Sequence, residues 1–181
     1  MRLSRTVRRR HIAGACSAAL MLGPTPASAT GATQAVGKES FRGVLLASGE
    51  SGNRTVFGTF IAADGVFTGA GRIVELPNRP RDPDRVSRDD LVFREGRMHL
   101  INTNKTFKVS LNPRTCAVRI TIRQTSVIRG GTGKFRNAVG QFAGGVQGRG
   151  VASRNENGTC SERAPLLLEV DAVSGSGFLS F

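Results

Sequence analysis

Three ionisable groups of different chemistry recur at every second position in one short run, Leu91-Val-Phe-Arg-Glu-Gly-Arg-Met-His-Leu100. Under a period of two, Glu95, Arg97 and His99 share a strand face with Leu91 and Phe93, while Val92, Arg94, Gly96, Met98 and Leu100 share the other. Pointed into an apolar interior, a carboxylate, a guanidinium and an imidazole at that spacing orient a ligand or transfer a proton, with acidities shifted by burial. Phe93 then adds apolar wall for a ligand. Pointed outward, the same trio is a solvated ion pair of small energetic worth. Neither face is cleanly apolar, so both placements stay open. Glu169 and Asp171, on one face with Leu167 and Val173, form a second candidate ligand-binding pair.

Other catalytic patterns are missing. No G-x-S-x-G elbow, H-E-x-x-H helix or P-loop occurs. Outside the first 29 residues the one histidine is His99, which excludes a metal site built on several histidines and argues against a hydrolase or a metalloenzyme. No cofactor is implied. The chain has no Trp and no Tyr, so only phenylalanine is available to stack on sugars or bases, which argues against lectins and nucleic-acid binders despite the basic pI.

The elements that must position these groups read as β. Strand patterns run over Ser40–Ser48, Arg54–Ala62, Val66–Leu76, Leu91–Ile101, Lys105–Leu111, Cys116–Ile128, Lys134–Ala152 and Leu166–Phe181. Turn signals separate most of them, at 49–52, 64–65, 102–104, 112–113 and 130–133. No run after residue 30 carries a 3.6-residue period. Eight strands joined mainly by short turns predict an all-β, single-domain, eight-stranded antiparallel β-barrel, because closure removes exposed edges. Two connections are long. Pro77–Asp90 holds three prolines and mixed charge and reads as a loop, a lid or a solvated insertion. Ser153–Pro165 contains Cys160.

The start of the chain reads as an export signal. Arg2, Arg5, Arg8, Arg9 and Arg10 precede a short apolar run and the small-residue pattern Ala27-Ser28-Ala29, which predicts a signal peptide at 1–29 and a secreted protein. The apolar run is too short to span a membrane. Arg9-Arg10 leaves Sec and twin-arginine export both open. A polar lead-in follows at 30–38, with the barrel at 39–181. Loss of the five leader arginines lowers the formal charge from +13 to +8. A basic exported surface suits anionic cell-wall polymers. Arginine far outnumbers lysine, as in GC-rich actinobacterial genomes. With Cys16 in the leader, Cys116 and Cys160 remain, and in an oxidising compartment the expected state is a disulfide.

Gly130-Gly-Thr-Gly-Lys-Phe-Arg-Asn-Ala-Val-Gly140 joins two β patterns, and Gly130, Gly131 and Gly133 are its expected turn residues. This hairpin resembles the GGTGKFR-x-A-x-G segment of the allene oxide cyclase/dirigent-like barrel superfamily. The resemblance implies a β-barrel with an apolar cavity open at one end, and in plants a trimer, hence a homo-oligomer here. It transfers fold and no catalytic residue. The expectation it supports is a barrel that binds a small hydrophobic molecule, either only holding it or steering its cyclisation or isomerisation without a cofactor. The alternative is a non-catalytic extracellular or envelope protein acting through its basic surface.

Overall fold

The structure is a computed structural model that describes residues 34–49 and 52–181. The expected leader at 1–29 lies outside the described residues. Eight strands form an up-and-down meander: β1 (Val36–Ser48), β2 (Thr55–Gly65), β3 (Gly69–Leu76), β4 (Val86–Phe93), β5 (Gly96–Leu111), β6 (Ala117–Gly131), β7 (Val139–Val151) and β8 (Leu168–Ser180). Each pairs antiparallel with the next, and β8 closes on β1 from Val36↔Ser180 to Ala47↔Glu169, so the sheet is a closed barrel. β1 begins inside the segment read as a lead-in. A single 3₁₀ turn, Gly133–Phe135, interrupts the β structure of the described residues.

The expected number of strands is present, but two are cut differently. Val86–Asp90, read as loop, is the first part of β4 and pairs with His99–Thr103 of β5. The prolines stop at Pro83, and the residues beyond it are free to join a ladder. Leu91–Ile101, read as one strand, is a hairpin that turns at Arg94 and Glu95. Conversely the turn signal at 102–104 lies inside β5, which continues through a bulge between Asn104 and Thr106. One added break and one removed break leave the count at eight.

That bulge re-aims side chains. An extra residue flips the face of everything beyond it, and Asn104 and Phe107 accordingly both face the interior. A second weak point is the β2–β3 ladder, which pairs only Ile61–Ala63 with Gly69–Gly71. Beyond it the Thr59 hydroxyl donates to the Ile73 carbonyl at 2.8 Å and accepts from the Ile73 N–H at 3.1 Å, standing in for the missing backbone bonds.

One end of the barrel is filled. Phe67 meets Phe93 and Phe135 edge to face at centroid distances of 4.9 and 5.0 Å, and Phe135 meets the C-terminal Phe181 at 5.2 Å. Met98, Ile128, Ala138 and Leu179 pack around them, all essentially without exposed surface. The Lys134 ammonium caps the Phe67 and Phe181 rings. Glu39, also buried here, accepts from the Phe67 and Ser40 N–H groups; burial raises its pKa against the pull of those two bonds.

The glycine hairpin delivers Phe135 to this plug. Gly130 and Gly133 sit at φ 77° and 59°, the left-handed region that favours glycine. Gly131 is extended instead, and is required because a Cβ there would strike the Arg97 carbonyl.

At the opposite end, Cys116 and Cys160 form the expected disulfide, their Cα atoms 5.3 Å apart. It ties the β7–β8 loop to the turn before β6 over a small cluster of Val118, Ala152 and Leu166. The Arg154 guanidinium reinforces this staple by donating to the Arg114 and Gly158 carbonyls.

Candidate functional site

The interior of the disulfide end is not filled. A cavity of about 610 Å³ opens there, with an apolar floor that includes Phe41, Leu45, Ile61, Leu91, Phe142 and Val173. Phe41 and Phe142, 5.1 Å apart, belong both to this floor and to the buried cluster of the plug below. Inward positions of β7 are small at Gly144 and Gly148, and Gly148 is occupied instead by a neighbour: a Cβ there would collide with Oδ1 of Asp171.

The rim is charged. Arg54, immediately before β2, reaches across the mouth to three acids on two strands. Its Nε donates to Glu169 at 2.7 Å, its Nη1 to both Glu75 oxygens at 3.1 and 2.8 Å, and its Nη2 lies 3.6 Å from Asp171. Burial pulls the Arg54 pKa down, but the hydrogen bonds and charges of Glu169 and Glu75 outweigh it and leave it raised. Glu169 and Asp171 are only 8 % and 7 % exposed, and Asp171 Oδ1 has no hydrogen-bond partner. Burial, then the neighbouring charge of Glu169, pushes Asp171 up to about 6; Arg54 opposes that rise.

Across the mouth a polar track runs over three strands. Ser126 on β6 donates to Asn102 on β5 at 2.6 Å, and Asn102 donates to Asp89 on β4. Burial raises Asp89 to about 6, with Glu75 adding to the rise and the Asn102 bond opposing it. Arg88, also on the rim, is held by Asp82 at 2.6 Å, and that bond together with the Arg79 N–H lowers Asp82 to about 2.

Of the side chains singled out in the sequence, Glu169 and Asp171 line this cavity. Phe93 faces inward but belongs to the plug. Glu95 stands exposed in the turn between β4 and β5, and Arg97 and His99 lie on the outer face of β5. Of the two placements open to that trio, the outward one holds, and Glu95, Arg97 and His99 do not line the cavity. The two-residue turn sets Phe93 opposite Gly96, so the inward face passes from odd to even numbers and Met98 points in. Outside, His99 Nδ1 and Asp90 Oδ1 are 2.6 Å apart, and Arg97 lies 3.7 Å from the other Asp90 oxygen.

Arg54, Glu75 and Asp89 were not singled out, because they come from separate strands and no local spacing joins them. Among the described residues no group of three or more His, Cys, Asp and Glu side chains is arranged to hold a metal ion, and no helix is long and apolar enough to cross a membrane. Compared with protein-family models, curated proteins and solved structures, the chain matches none of them.

Proposed function

We propose that this protein binds a small, largely hydrophobic molecule in the open end of its barrel, after export directed by the leader at 1–29. The observation that carries this is the contrast within one interior: a cavity of about 610 Å³ stays open above a plug of fully buried apolar side chains. A barrel selected for stability alone would fill both ends, since each buried aliphatic side chain adds about 1.5–3 kcal/mol. Apolar pockets with a few placed polar groups are the usual form of small-molecule sites. The barrel and the Gly130–Gly140 hairpin fit a member of the allene oxide cyclase/dirigent-like superfamily. In that setting the walls hold a flexible molecule near one reactive shape, and the rim acids place charge beside it.

Native mass spectrometry of protein purified from its own producing cells tests this. A bound small molecule that leaves on denaturation is the expected result. Protein that is empty, and that takes up no apolar compound when challenged, would contradict it.

One observation favours a second reading. Arg119 and Arg149 face each other directly across β6 and β7, both exposed, with Arg123 farther along β6. Like charges directly opposite each other destabilise a sheet, and an anionic cell-envelope polymer would relieve that repulsion. Salt-sensitive sedimentation with such a polymer, lost on Arg119→Ala with Arg149→Ala, is expected if the outer face is the working surface.

A further inference from the structure

We infer that the cavity selects molecules carrying one cationic group, such as an amine, on an apolar body, and discriminates against carboxylates; this rests on the cavity being a ligand site. Four carboxylates line it, Glu75, Asp89, Glu169 and Asp171, against two guanidiniums, Arg54 and Arg88. Arg88 is already neutralised by Asp82, which leaves Arg54 as the one cation facing four acids. The mouth is thus locally negative in a chain whose formal charge is +13.

Arg54 has little to offer an anionic ligand. Each of its three nitrogens already faces a carboxylate. A fatty-acid head placed beside it would meet Glu75, Glu169 and Asp171 at close range and in partial burial, where like-charge repulsion is weakly screened. An ammonium reverses every sign in that balance. It also supplies what Asp171 lacks: this side chain, 7 % exposed, lines the cavity with Oδ1 unpaired. A buried acceptor left without a donor is costly, and an N–H donor from a ligand completes it once the carboxyl swings off Gly148 toward the cavity. The raised pKa values of Asp89 and Asp171 agree, since burial first and neighbouring carboxylates next disfavour their charged forms, a cost that a ligand cation offsets. Below the rim, Phe41, Leu45, Ile61 and Phe142 accommodate an alkyl or aryl body.

The test uses three probes that share one chain and differ in the head: decylamine, decanol and decanoate, titrated into the purified protein at pH 7.5 by calorimetry below their aggregation concentrations. Decylamine is expected to bind at least about tenfold tighter than decanol, with decanoate weakest. Asp171→Asn, close to isosteric, should narrow the gap between decylamine and decanol to less than about threefold. If that variant does not fold, the wild-type ranking still decides. Decanoate binding as tightly as decylamine, or decylamine binding no tighter than decanol, overturns the cationic preference while leaving the cavity as a ligand site. Failure of all three to bind overturns both.

Discussion

Where β6 turns into β7, Phe67, Phe93, Phe135 and Phe181 stack edge against face and close the barrel; where β8 begins, the same strands hold Arg54, Glu75, Glu169 and Asp171 around an opening. The same closed barrel runs between both ends, with Phe67, Phe135 and Phe181 entering the plug from beyond the strand ends as Arg54 does at the rim, so backbone pairing does not separate them. The side chains do. The plug satisfies its one buried acid, Glu39, with two backbone N–H groups. The rim leaves Asp171 Oδ1 without a partner and sets several carboxylates within reach of one another. The plug end carries stability, and the rim end gives some up to keep a charged, accessible interior.

The largest break in this contrast comes from the plug. Phe135→Ala removes a fully buried ring and should destabilise by about 3–5 kcal/mol in denaturant melts. Ile122→Ala, at a half-buried position on the cavity wall, already faces open space and should cost under about 2 kcal/mol. Equal costs would mean the two ends are packed alike. Next, replacing Cys116 and Cys160 together should cost about 2–4 kcal/mol. Alkylation without reduction should label neither cysteine.

A smaller and more diagnostic effect is expected from Arg54→Gln. It strands Glu169 and Asp171 and should cost about 1–3 kcal/mol at pH 7.5. Its pH dependence sharpens the comparison. Asp89 and Asp171 sit near 6 instead of the ordinary 3.8, so between those values the folded state holds more protons than the unfolded one. Their ionisation therefore opposes folding, and stability should rise as pH falls from 7.5 to 5. Glu39, also raised, contributes with the same sign from the plug. Arg54→Gln should steepen the slope, because Asp171 loses the charge that restrains its rise. Asp89→Asn should flatten it, melting above wild type by a margin that is larger at pH 7.5 than at pH 5. The smallest effect belongs to Glu95→Gln, an exposed turn position, at under about 0.5 kcal/mol.

Architecture was more legible in the sequence than the site. Alternation along Val118, Ile120 and Ile122 marks an inward face that β6 keeps, and the cysteine pair and the glycine turn announce themselves by residue type. The period-two rule also brought Glu169 and Asp171 together, because both lie on one uninterrupted strand. It failed over 91–101, since Arg94-Glu95 carries no strong turn signal and a missed turn reverses every face after it. The rim cluster was illegible for a different reason. Arg54, Glu75, Asp89 and Asp171 meet only because a closed barrel brings β2, β3, β4 and β8 around one mouth, and contacts of that range leave no local pattern.

The chain contains no tryptophan, so a single introduced indole reports on one place alone. Val146→Trp puts it on the cavity wall, and Thr125→Trp puts it on the exposed face of β6. Titration with decanol measures the central claim directly. An open, ligand-accepting interior predicts a saturable shift in the emission of the Val146→Trp protein and none in that of Thr125→Trp. The same response from both, or no response from either, would contradict it.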